Sequence, residues 1–181
     1  MILSDRNFTD RAHDLRNRAV YIGHKASPQD FGMGRDRLEW VLLKNRPLLR
    51  CLHGLALTKY DADEVEETLR LFQELLSPNP NDIMPETLDG RALALFKLGR
   101  WQEASTALHE AIEYLPLAGK ELLKTKHHLP KTARLDGVAA GGADEAYYYW
   151  EESGQLWEED AEALQWLRET MKQVAWQDPT R

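Results

Sequence analysis

Cys51 with His53, the neighbouring His127 and His128, and the isolated His109 are the residues whose types could hold a transition metal. A zinc site needs three or four such ligands converging at about 2 Å. Spacing works against that convergence, because residues two apart on a helix face nearly opposite ways and neighbours diverge by about 100°. A solvated histidine pair beside a loop is the simpler reading of His127 and His128. Cys51 falls inside an apolar helical stripe, where a thiol is inert core rather than a nucleophile. Carboxylates gather at Glu151 and Glu152 and again at Glu158, Glu159 and Asp160. A hydrolytic pair needs one member buried to raise its pKa, whereas runs at helix ends are explained by solvent and the helix dipole. The chain has no P-loop, no dinucleotide glycine motif, no Gly-x-Ser-x-Gly and no His-Glu-x-x-His. The expectation is a protein that is not an enzyme and that carries no metal and no cofactor.

Composition points the same way. At 181 residues, 43% hydrophobic and 29% charged, the chain reads as one globular helical domain spanning 1–181. A single cysteine excludes an internal disulfide framework and suits a reducing compartment. No apolar run approaches the roughly 18 residues of a spanning helix, and "MILSDRNFTDR" lacks an apolar signal core. A cytoplasmic protein without membrane contact is expected. The net charge of −7 argues against nucleic acid as the main ligand. That charge is polarised: residues 1–50 carry ten Lys/Arg against six Asp/Glu, and residues 144–181 carry three against ten. Two solvated helical faces account for this, and steering of a charged partner is the other reading.

The elements that carry these residues follow from periodicity and punctuation. Residues 10–22 place Ala12, Leu15, Ala19 and Ile22 on one helical stripe, interrupted by Pro28, Gly32 and Gly34. The stretch "RDRLEWVLLKN" predicts a second helix with Leu38, Val41 and Leu42 facing inward. Pro47 suits a first helical position and opens a helix through Leu48, Cys51, Leu52, Leu55 and Ala56 towards Tyr60. Asp63 and Glu66 resemble a capping box before "EVEETLRLFQELL", where Val65, Leu69, Phe72 and Leu76 recur at three and four. "SPNPND" stops that helix. "PETLDGRALALFKL", a tight turn at Gly99 and "WQEASTALHEAIEYL" form the next pair. A short helix from Pro116 to about Lys126 precedes the breaker-rich "HHLPKTARLDGVAAGGAD", within which "KTARLDGVAAGGAD" is expected to be the most protease-sensitive internal segment, cut first near Lys131 or Arg134. "DEAYYYWEES" and "EDAEALQWLRETMKQV" close the chain as helices. With no sustained period-two alternation, the fold is expected to be all-α. N-terminal helices would occupy about 1–45, two hairpins 46–116, and a loop with capping helices 117–181.

Residues 85–116 fit the later part of a tetratricopeptide unit of about 34 residues. The fit rests on Ala92, Gly99, Trp101, Ala104, Leu108, Ala111 and Pro116. One unit earlier Ala56, Val65, Thr68, Phe72, Leu75 and Pro80 stand in comparable places, with Thr68 for the usual alanine and Asp63 for the turn glycine. Hairpins of this kind stack as a short solenoid. More specifically, "WVLLKNRPLLRCLHGLAL", "EVEETLRLFQELLSPNPND" and "ALALFKLGRWQEA" are similar to bacterial tetratricopeptide proteins related to the suppressor-of-tumorigenicity family. Over about residues 15–170 the marks are Trp40, Arg46, Pro47, Asn79, Pro80, Asn81, Asp82, Trp157 and Trp166. After Asp82 the chain runs almost directly into its last repeat, where longer relatives are expected to insert another helical pair. The resemblance implies a binding or scaffold protein and supplies no catalytic residue.

In tetratricopeptide pairs the first helix lines the concave side. That rule offers Arg50, His53, Leu57 and Tyr60 from one helix and Asp89, Leu93, Phe96 and Lys97 from the next. The expected partner-binding set is Arg50, His53, Tyr60, Asp89, Phe96 and Lys97. Leu57 and Leu93 stand where chaperone-binding relatives carry asparagine, so an amphipathic helix or extended peptide is the expected ligand. In "AYYYW" Tyr147 and Trp150 share a helical face while Tyr148 and Tyr149 point elsewhere, so at least one ring should be exposed, as a terminal cap or as an anchor for a partner. The expected function is a protein-protein interaction scaffold holding a partner peptide or helix in a short groove. The alternative is a regulatory or immunity-type protein that binds one enzyme through its acidic C-terminal helices. Self-association is compatible with both.

Overall fold

A computed structural model gives the fold and describes residues 5–27, 32, 35–76, 84, 86–131, 138 and 141–177. Among these are eight helices and no strand: α1 (Asp5–Ala26), α2 (Arg46–Asp61), α3 (Val65–Leu76), α4 (Glu86–Lys97), α5 (Trp101–Tyr114), α6 (Pro116–Leu122), α7 (Ala143–Glu158) and α8 (Ala161–Gln177). The all-α expectation holds. No helix among the described residues is long and apolar enough to cross a membrane. Contacts gather into two compact units, Met1–Leu98 and Gly99–Arg181. The expected corner at Asn79, Pro80, Asn81 and Asp82 lies outside the described residues, as do Pro28, Gly34 and Arg134 and the side chain of Ala12.

In the first unit α2 packs against α1 and α3, and α3 against α4. Pro47 sits in the first turn of α2, where its missing N–H costs nothing. Leu49, Leu52, Leu55 and Ala56 form one face of that helix and meet Leu71, Phe72 and Leu75 of α3 in the core. Gly90 in the middle of α4 allows a close approach, because a Cβ there would lie 2.4 Å from Phe72 Cζ. Thr68 is fully buried, and its hydroxyl lies 3.2 Å from the Ala56 carbonyl and 3.1 Å from that of Glu64. A hydroxyl is thereby accommodated where an alanine would pack.

The corner between α2 and α3 corrects one expectation. Asp63 has φ 63° and follows the α2 C-cap instead of opening a capping box. The Glu64 N–H reaches the Lys59 carbonyl at 2.9 Å and the Asp63 N–H reaches that of Tyr60 at 3.0 Å, the Schellman pattern. Asp63 therefore takes the role that Gly99, with φ 69°, takes before α5. These two residues are 36 apart, and the spacing recurs in burial: Ala56 with Ala92, Thr68 with Ala104, and Phe72 with Leu108 are all buried.

The N-terminal region departs further. No helix forms over 35–45, which is a chain of turns. The Asn45 amide donates to the Glu39 carbonyl at 2.9 Å and the Arg46 guanidinium to the Trp40 carbonyl at 2.9 Å. Backbone bonds there span three residues, from Leu42 N–H to Glu39 and from Asn45 N–H to Leu42. Side chains that bind backbone carbonyls compete with the helical ladder. Leu38 is half-buried against the core, but Val41 and Leu42 face outward. In α1 the packed face is also one residue away from the expected stripe. Arg16 bonds the Thr58 hydroxyl, Val20 joins the core and Gly23 approaches Leu48, while Leu15 and Ile22 are exposed and Ala19 is half-buried.

In the second unit α5 packs against α6 and α8, α6 against α7, and α7 against α8. Ala104, Ala107, Leu108, Ala111 and Ile112 are its buried face. α6 ends at Leu122 rather than Lys126, and Lys124 and His127 turn back onto the buried Glu121. Asp160 caps α8, its Oδ1 accepting the Ala163 N–H at 2.9 Å.

Candidate interaction surface

The six expected partner-binding residues divide between interior and surface. His53, Tyr60, Asp89 and Phe96 are buried, and Arg50 and Lys97 are exposed. Burial lowers the His53 pKa to about 4, helped by the charge of Arg16. Its Nδ1 lies 3.5 Å from Thr87 Oγ1 and its ring 5.5 Å from that of Phe72. Burial raises the Asp89 pKa to about 7, with the Glu86 charge adding to it. Asp89 Oδ2 has no hydrogen-bond partner among the described residues. Lys97 places its ammonium 4.5 Å over the Tyr60 ring and 3.0 Å from Asp63. Arg50 stands 5.5 Å over the Trp40 ring, which Arg46 also covers at 4.8 Å. Of the flanking leucines, Leu57 is half-buried and Leu93 buried. Partner contact at the molecular surface is thus open to Arg50 and Lys97 and closed to the other four.

The aromatic helix α7 also differs from expectation, since no ring of its tyrosine run is exposed. Tyr149 is buried and its hydroxyl accepts the Trp157 indole N–H at 3.0 Å, while Tyr147, Tyr148 and Trp150 are half-buried. Trp150 stacks on His127 with ring centroids 3.8 Å apart and planes 4° from parallel, and donates to Glu158 at 2.8 Å. His127 is therefore not half of a solvated pair; its Nδ1 lies 3.2 Å from Glu121, and only His128 is exposed. Among the described residues no three His, Cys, Asp or Glu side chains gather as a metal site. The acidic residues 158–160 have internal work as well: Glu158 holds Trp150, Glu159 accepts from Gln155 at 2.6 Å, and Asp160 caps α8.

The open surface lies on the first unit. Val41, Leu42 and Leu43 are 64%, 41% and 73% exposed, three consecutive aliphatic residues facing solvent. Beside them a cleft of about 660 Å³ runs between α1 and α2. Ala19, Ile22 and Ala26 form one wall, Pro47, Leu48 and Cys51 the other, and the 37–45 segment closes one side with Leu38 between Arg37 and Lys44. Periodicity missed this surface because it read 35–45 as a helix with its apolar residues inward. The three-residue run "VLL" among charged neighbours was the available signal. No protein-family model matches the chain, and no curated protein and no solved structure matches it.

Proposed function

We propose that this chain is a cytoplasmic interaction protein of tetratricopeptide-like hairpins that docks a protein partner on the N-terminal face of its first unit. The carrying observation is the exposed run Val41, Leu42 and Leu43, since consecutive solvent-facing aliphatic residues cost solubility unless a partner covers them. Arg50 and Trp40 extend that face with a cation held over an aromatic ring, a combination enriched where partners bind most tightly. The hairpin reading draws on the 36-residue equivalence of burial and on the left-handed corners at Asp63 and Gly99. The acidic-tail alternative is weakened by the internal bonds of Glu158, Glu159 and Asp160.

The test is capture from native lysate by the full chain, comparing wild type with the double variant Val41→Ser/Leu43→Ser and with Glu158→Gln/Glu159→Gln. Loss of captured proteins in the first variant only is the expected result. Full capture by the first and loss in the second would overturn the reading and move the working surface to α7 and α8.

A further inference from the structure

We infer that the cleft between α1 and α2 binds a free single-chain amphiphile with a carboxylate head, its hydrocarbon chain between the helices and its head at Arg37 and Lys44. The cleft adjoins the proposed partner face along the 37–45 segment, and its ligand is argued and tested independently of that reading. The volume of about 660 Å³ falls within the range of about 300–1,000 Å³ typical of small-molecule sites. Its walls are aliphatic, and among the described lining residues no side chain is aromatic, which suits a flexible alkyl chain better than a flat ring system. α1 and α2 approach so closely at one point that a Cβ on Gly23 would lie 2.5 Å from Leu48 Cδ1.

The head group is specified by charge. Arg37 and Lys44 line the cleft from the single segment that closes one side. Both are exposed, and neither forms an ion pair among the described residues. Arg35 of the same chain of turns, by contrast, is paired with Asp36. Two uncommitted cations at the rim of an apolar slot select an anionic head over a neutral one.

Cys51, the only thiol of the chain, is half-buried at the cleft instead of lying in the inert core expected for it, so its alkylation can follow occupancy. The experiment follows its alkylation by N-ethylmaleimide in the full chain, with octanoate, decanoate and dodecanoate below their micellar concentrations, and with dodecanol as the neutral control. The expected result is saturable protection, with affinity rising about fourfold per added methylene until the cleft is full. Dodecanol should bind about tenfold more weakly than dodecanoate. Arg37→Gln/Lys44→Gln should erase that preference without changing dodecanol binding. Ala19→Phe fills the cleft and should abolish protection by both ligands. Ile22→Glu, at a residue that is 64% exposed, provides a second block that leaves the core untouched. Absence of protection by dodecanoate, equal affinity for dodecanol, or unchanged binding in both blocking variants would overturn the proposal. So would retention of the protein by phosphatidylglycerol vesicles alone, which would assign the cations to a membrane surface.

Discussion

The 38–48 segment with α1 and the α7–α8 pair are both rich in large apolar residues beside charges, yet they end in opposite states. In α7 and α8 the largest described rings are matched: Tyr149 with Trp157, Trp150 with His127 and Glu158, and Trp157 with Trp166 at 6.5 Å. Around α1 the aliphatic residues Leu15, Ile22, Val41 and Leu43 stay in solvent. A tyrosine or tryptophan brings a polar handle that must find a donor or acceptor when buried, so an aromatic-rich helix commits itself to specific internal partners. Aliphatic side chains carry no such demand and can remain available. The exposed aliphatic surface therefore lies on the plainer sequence, and the aromatic helix is turned inward.

That contrast can be broken by mutation. The largest effect is expected for Trp157→Ala, which removes a fully buried ring and its indole N–H bond to the Tyr149 hydroxyl; loss of about 3–5 kcal/mol in chemical denaturation is predicted. Ala104→Arg puts a charge at a site with no exposure and should cost about 3 kcal/mol, visible as a lower Tm by circular dichroism. An unchanged Tm would refute the assignment of that α5 face to the interior. Tyr149→Phe deletes one buried hydrogen bond and should cost about 1 kcal/mol. Ile22→Ser and Leu43→Ser, at exposed positions, should each move stability by no more than about 0.5 kcal/mol. If either rivals Trp157→Ala in urea titration, the N-terminal face is core and the comparison fails.

Helices α2 to α5 were legible because local punctuation and periodicity agree there. Pro47 starts one helix, Gly99 separates two others, and the apolar residues of α2 and α3 recur on single faces. The packed face of α1 was not legible. The stripes Leu15–Ala19–Ile22 and Arg16–Val20–Gly23 differ by one residue, about 100° of rotation, and the choice was made by Thr58 and Leu48 on another helix. The missing helix over 35–45 has a similar origin, since Asn45 and Arg46 bond carbonyls six residues back. Among the expected site residues Arg50 and Lys97 are exposed, and His53 and Asp89 are buried; the latter was not legible because propensity says nothing about a polar residue being enclosed by its neighbours.

The enclosure of His53 and Asp89, which stand 36 residues apart, sets the proton balance of unfolding. The folded pKa of His53 is about 4 against its ordinary value of 6.5. The unfolded chain therefore takes up a proton there, and acidification from 6.5 towards 4 removes stability. The folded pKa of Asp89 is about 7 against 3.8. Unfolding releases a proton at that site, and stability falls as pH rises from 3.8 towards 7. Between about pH 4 and 6.5 the two slopes oppose each other. Uptake at one site offsets release at the other, and both groups stay uncharged inside.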